Sequence, residues 1–292
     1  MDASRISTCS IALIDYSPEK AFEIIRAAGY RKVDVLERVP HLSLFPEECD
    51  PAALKAAASA NGLQIANLST YPGGGTSGRS VAWSWHGWKV NTPEQFTSCG
   101  FSSDILTEQE KELEQLRRTI DLAVYFGARS IRVVPGNDRP DTIDRIVPWF
   151  KQAAEYAEEK NIYMGIEHED VDTISGDPEL LRELIEKVGS RYLGVLYEPG
   201  NLVVVCNIDY RQALDVLKNY VVHCHFKDCK KIGEKNEFVM MGEGDIDFPW
   251  IVEQLEVAGY KGDYSLEYEI HEPGPEEGLK EFYERFSRIM GA

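Results

Sequence analysis

Residues 221 to 228 read VVHCHFKD, a run that opens as a buried strand and closes on histidine, lysine and aspartate. Side chains of a β-strand alternate between its two faces, so Val221, His223, His225 and Lys227 share one side. Buried imidazole and ammonium groups are costly unless something anionic or metallic lies opposite. The pattern suits one stave of a parallel barrel, with Val221 to Lys227 facing the lumen and the last two nearest its C-terminal mouth.

On either side of it, seven further β-rich runs alternate with helical stretches: SIALI (10 to 14), KVDVL (32 to 36), QIANL (64 to 68), SIRVV (130 to 134), IYMGIE (162 to 167), LGVLY (193 to 197) and YSLEY (264 to 268). The helices carry start signals, Ser17-Pro18, Asp50-Pro51, Asp177-Pro178 and Asp247-Phe248-Pro249, with glycine just past the end of each. Strands alternating with helices read as parallel strands joined by crossovers. Eight such pairs in 292 residues predict a single (β/α)8 TIM barrel domain spanning 1 to 292. A doubly wound dinucleotide-binding sheet is the rival, but no GxGxxG follows the first strand.

Composition sets the class. With 43% hydrophobic and 27% charged residues the chain is globular. A net charge of -18 disfavours nucleic acid and anionic membranes as partners, and no basic stretch with interleaved aromatics offsets it. The start MDASRISTCSIALI lacks a basic segment followed by an apolar one, and no apolar run is long enough to span a bilayer. Cysteines 9, 49, 99, 206, 224 and 229 have unrelated spacings, so free thiols and a cytoplasmic location are expected.

One connection is long. Residues 72 to 106 separate the third strand from its helix and hold Trp83, Trp85, Trp88, His86 and Phe101. Connections of this length are uncommon in compact domains, and loops after barrel strands build the active site. The reading is an aromatic-rich lid that supplies a wall for a sugar ring, with Trp85 as a candidate substrate contact; a decorated surface loop is the bland alternative.

The late strands bring oxygen ligands to the mouth. The fifth ends in GIEHED with Glu167 and Glu169 on one parity, the sixth in LGVLYEPGN with Glu198, the eighth in YSLEYE with Glu267 and Glu269. Taken singly, each of these has an ordinary structural role. Three carboxylates with one imidazole form a hard donor set suited to one divalent ion, Mn2+ or Mg2+ first, Co2+ next and Zn2+ less naturally. Such an ion polarises a carbonyl and steadies an enediolate.

The stretches GIEHED, LGVLYEPGN, VVHCHFKD, MGEGDIDFPWIVEQL and GYKGDYSLEYE resemble the sugar phosphate isomerase/epimerase family, the xylose isomerase-like barrels that include D-tagatose 3-epimerase-like enzymes and inosose dehydratase. The resemblance implies metal ligands at Glu167, Glu198, His225 and Glu267, and an acid/base pair at Glu167 and Glu267. Glu198 departs from the family's usual Asp, being one methylene longer. Asn201 falls where the family contacts substrate oxygens, and Lys227 would donate to a substrate oxygen or pair with Glu198 or Asp228. His223 and His168 are further substrate-side candidates, with hydrogen bonding behind the ligands as the alternative. Two spacings characteristic of ketose 3-epimerases arrive at Thr173 and Lys231 instead of an acid and the usual base.

The expectation is therefore a metal-dependent sugar or keto-sugar isomerase or epimerase with a small carbohydrate substrate, which could pair as a homo-oligomer. A dehydratase or lyase on a keto-sugar or keto-inositol is the enzymatic alternative, since the same proton abstraction can be followed by loss of a β-hydroxyl. A carbohydrate-binding barrel without turnover and an endonuclease IV-like repair enzyme rank lower. The latter needs many histidine ligands, and this chain has six histidines.

Overall fold

A computed structural model describes residues 2–45, 47–74, 100–136 and 139–291. The strands in chain order are β1 (Ile6–Cys9), β2 (Lys32–Leu36), β3 (Gln64–Ser69), β4 (Ser130–Val133), β5 (Tyr163–Glu167), β6 (Leu193–Tyr197), β7 (Val221–Phe226), β8 (Asp228–Ile232), β9 (Lys235–Val239) and β10 (Tyr264–Leu266). Eight of them close a parallel barrel in the order β1-β10-β7-β6-β5-β4-β3-β2. The ring shuts where β10 pairs with both neighbours, Tyr264 opposite Ile6 on β1 and opposite Cys224 on β7. This is the expected (β/α)8 architecture.

Helices α1 (Pro18–Ala27), α2 (Pro51–Ala60), α3 (Leu106–Phe126), α4 (Ile143–Lys160), α5 (Pro178–Val188), α6 (Pro199–Val204), α7 (Tyr210–Leu217), α8 (Phe248–Val257) and α9 (Pro275–Met290) surround the barrel. The caps read from sequence form: the side chains of Ser17, Asp50, Asp177 and Asp247 accept backbone N–H groups of the first turns. Each such cap contributes ~1 kcal/mol. Gly189 then ends α5 at φ 73°, a conformation glycine adopts without penalty.

Outward faces of the strands meet the helices in one apolar layer. Phe226 of β7 lies 5.1 Å from Phe248 of α8 and 5.8 Å from Phe286 of α9, ring centre to ring centre. All three are buried. Truncating one such ring to alanine would cost about 3–5 kcal/mol. This layer fixes where the β7 lumen face points.

Several details depart from the sequence reading. SIALI is not the first strand: Ser10–Leu13 form a 3-10 turn, and the strand is the preceding ISTC, Ile6–Cys9. An unbroken apolar run does not distinguish a strand from a buried turn, and the polar Ser7 and Thr8 disguised the true stave. The eighth stave stops at Leu266, two residues before the expected end, though Glu267 N still donates to Phe226 O at 3.1 Å. Between β7 and α8 lies the unexpected antiparallel hairpin β8–β9, joined by Gly233–Glu234 with Gly233 at φ 63°. A positive φ at the first position of a two-residue connection is the hairpin signal that Gly233 offered.

Of the proposed lid at 72 to 106, Trp83, Trp85, Trp88 and His86 lie outside the described residues. Phe101 is fully buried, with its ring 5.2 Å from that of Phe150 and 6.1 Å from that of Trp149. Among the described residues the cysteines are free thiols, and no helix is long and apolar enough to cross a membrane.

Candidate metal centre

The alternation rule places polar groups in the lumen, and the structure shows how they meet. One ligand atom from each of Glu167, Glu198, His225 and Glu267 lies within 4.8 Å of the others. All four residues are buried. They come from the C-terminal ends of β5, β6, β7 and β10, which the barrel sets side by side.

His225 is held from both ring nitrogens. Nδ1 sits 2.6 Å from Glu167 Oε1 and 3.6 Å from Glu267 Oε1, while Nε2 sits 2.7 Å from Asp34 Oδ2. Burial alone would lower the imidazole pKa, but the carboxylates of Glu167, Glu267 and Asp34 outweigh it and hold it well above the usual range. Burial likewise works against the charge on Glu167, yet His225 and the Arg132 guanidinium overcome it and keep its carboxyl below the usual range. Arg132 bonds Glu167 directly and lies 3.3 Å from Glu169.

Glu198 behaves differently. Oε1 accepts from Gly200 N at 2.7 Å, whereas Oε2 is buried with no hydrogen-bond partner. Burial lifts its carboxyl well above the ordinary range, and Lys227 offsets this only in part. A buried carboxylate oxygen without a donor costs about 1–3 kcal/mol or more. A cation among the four donors would satisfy that oxygen and offset the burial of the carboxylates, so the residues present fit a divalent ion.

Lys227 takes neither of the salt-bridge partners expected from sequence. Its Nζ lies 2.7 Å from Glu267 Oε2 and 2.6 Å from Glu269 Oε2. Those carboxylates outweigh the effect of burial and hold the ammonium pKa well up, so Lys227 is a cation in the site. Asp228 instead shapes the MGEGDID loop, its carboxylate accepting from Gly242 N at 2.8 Å and Gly244 N at 3.0 Å.

The other candidates make contacts behind the donors. His223 Nε2 bonds Asp34 Oδ2 at 3.0 Å. His168 directs Nδ1 to Ser175 O at 2.7 Å, and its ring stands perpendicular to that of Tyr197 at 6.0 Å. Burial lowers its pKa to about 4, so it stays neutral. Asn201 donates Nδ2 to His168 O at 2.8 Å, which occupies one of its two amide hydrogens. Thr173 bonds Asp170 O, and Lys231 is exposed on the hairpin.

Sequence reading missed the early staves. Asp34 Oδ1 accepts from Asn67 Nδ2 at 2.9 Å and Ser69 Oγ at 2.8 Å, while Oδ2 takes the two histidines. Asn67 in turn accepts from Ser130 Oγ at 2.7 Å. Burial opposes the Asp34 charge, but His225 and His223 overcome it and keep the carboxyl well below its usual range. The signal was available: Asp34, Asn67, Ser69 and Arg132 are polar residues inside otherwise apolar strand runs, as in VVHCHFKD.

Residues 22–288 match the family described as xylose isomerase-like TIM barrel. Inosose dehydratase of Geobacillus thermodenitrificans is 26% identical over 141 residues, 43% of this chain and 47% of that one. The chain spans about half the length, or less, of the curated relatives it matches, the first at 56%. Among solved structures, a xylose isomerase-like TIM barrel protein from Mycobacterium smegmatis in complex with magnesium superposes with a TM-score of 0.72 at 16% identity, covering 100% of this chain and 98% of that one. An L-ribulose 3-epimerase gives 0.72 at 16% identity over 98% and 94%. The chain belongs to the xylose isomerase-like TIM barrel family.

Proposed function

We propose that the protein is a divalent-metal-dependent isomerase or epimerase of a sugar, keto-sugar or sugar derivative, with Glu167, Glu198, His225 and Glu267 as ligands. The observation that carries this reading is the meeting of four buried donors, one of them with a carboxylate oxygen that no protein group satisfies. Mn2+ or Mg2+ suits three carboxylates and one imidazole best. When bound, the ion would supply Lewis-acid polarisation of a substrate carbonyl.

The chain's own residues would do the rest. Glu167, held ionised beside Arg132, would accept a carbon-bound proton, and Glu267 would be the second carboxylate of the pair. Lys227, a fixed cation against Glu267, would donate to the substrate oxygen on which negative charge develops. Asn201, His168 and His223 act by holding this frame, and Trp85 is proposed as part of the sugar-facing wall.

The inosose dehydratase relative favours a second outcome, in which proton abstraction is followed by loss of a β-hydroxyl. Both outcomes begin alike. Incubating the metal-loaded protein with a panel of keto-sugars and keto-inositols in D2O separates them: epimerisation gives deuterium at the carbon beside the carbonyl, dehydration an ultraviolet-absorbing enone. Absence of both across the panel, with metal bound, would sink the proposal.

A further inference from the structure

The opposite end of the barrel holds a cavity, far from the carboxylates. It occupies about 480 Å³, and its floor is formed by the first residues of β5, β6 and β7, including Tyr163, Leu193 and Val221. Its rim is formed where α5, α7 and α8 end, at Gly189, Lys218 and Ala258. Five residues of strand at ~3.3 Å each separate this floor from the mouth, roughly 17 Å.

The charge around it runs against the chain as a whole. Arg129, Arg191, Lys218 and Lys261 line the cavity, with Glu186 as the acidic residue among them, in a protein of net charge -18. Glu186 is engaged, accepting from Tyr220 at 2.7 Å. Lys218 pairs with Asp215 at 2.9 Å. Among the described residues the other three cations have no carboxylate within 4 Å, although Glu158 acts on Arg191 from farther off. Arg129 lies over the Tyr163 ring at 4.7 Å and reaches Val222 O only at 3.5 Å; Arg191 lies over Tyr192 and donates to its hydroxyl at 2.9 Å.

A guanidinium fixed against an aromatic ring keeps its planar fork directed and uses little of its donor capacity on the protein. Carbonyl ends of three helices also face this region, and cations there offset their partial negative charge. That effect falls off within a turn and explains a cation per helix end, not a concave space of ligand size with aromatic walls. We propose that this cavity binds a small organic dianion, carrying phosphate or carboxylate groups, with Arg129, Arg191 and Lys261 as its cationic contacts. It is a site independent of the chemistry at the mouth.

The test uses the full chain at low ionic strength, titrated by calorimetry with glycerol 3-phosphate and separately with succinate, which distinguishes phosphate from carboxylate. Expected is saturable one-to-one binding of at least one probe, weakened about tenfold or more in R191Q/K261Q, the loss from removing two charge-assisted contacts. Both side chains are exposed, so the variant should melt at the same temperature as the parent without probe. The charge-preserving K261R, which leaves the stacked Arg191 in place, should bind as the parent does. Failure of both probes to saturate below about 1 mM, the affinity of a weak non-specific contact, would overturn the proposal. So would binding unchanged in R191Q/K261Q, or binding lost in K261R that melts at the parent's temperature.

Discussion

The staves β5, β6, β7 and β10 and the staves β2, β3 and β4 line one lumen with different chemistry. The first group brings the four donors to a common space, three carboxylates and an imidazole. The second brings Asp34, Asn67, Ser69 and Arg132, which make their bonds to one another and to the donors. Asp34 has both oxygens filled, whereas Glu198 has one left open. The open oxygen therefore lies on the side where the four donors meet. Support orients: with Nε2 committed to Asp34, His225 is left with Nδ1 for the cluster.

Removing a group from the first side should do the most damage. Glu267→Gln should lower the rate of deuterium incorporation by about 10²–10⁴, the range for loss of a general acid or base, with metal content checked by elemental analysis. If the variant exchanged at the parent rate, the division between acting and supporting staves would fail.

Removing Arg132 tests the second side by stability. Arg132→Met leaves the Glu167 carboxylate buried without its guanidinium, which should cost about 3–5 kcal/mol in denaturant unfolding. Added divalent ion should restore part of that loss, since a cation can compensate Glu167 in place of the arginine.

Asp34→Asn gives a smaller and more specific effect. Divalent metal affinity should fall ~10–100-fold, as for other carboxylates that orient a ligating histidine. Asn67→Ala, which removes one bond to Asp34, should weaken it less. A metal affinity unchanged in Asp34→Asn would show that His225 is oriented by the barrel alone.

The mildest change separates the lumen from its rim. Glu37, buried just beyond β2, accepts from Tyr71 N at 2.9 Å, and burial raises its pKa from 4.5 to about 7. The folded state thus binds this proton more tightly than the unfolded state. Its stabilising contribution is complete below pH 4.5 and is lost as pH rises through 7. In Glu37→Gln the melting temperature should fall less steeply between about pH 5 and 7.5 than in the parent, a comparison read from parallel thermal melts.

Much of this was legible in the chain, for a definable reason. VVHCHFKD, GIEHED and YSLEYE announced themselves because histidine, lysine and glutamate are conspicuous where alternation demands burial. Asp34 and Asn67 obey the same rule but sit singly in KVDVL and QIANL, where one polar residue is commonly a satisfied core group. The first stave was misplaced because Ser7 and Thr8 look like a loop, although Thr8 Oγ1 bonds Leu266 O at 2.8 Å across the seam. Pairings that distant leave no local trace, and neither does the Lys227 partnership with Glu269, set by where β10 ends.

That seam has a kinetic meaning. Closing the ring joins Ile6 to Tyr264, near the two ends of the chain, and only then does the segment bearing Glu267 lie beside β7. Contacts so far apart in sequence carry a large closure entropy and form late. The fourth donor, Glu267, therefore joins Glu167, Glu198 and His225 only when the ring closes, and a nascent chain still lacking β10 would present three of the four.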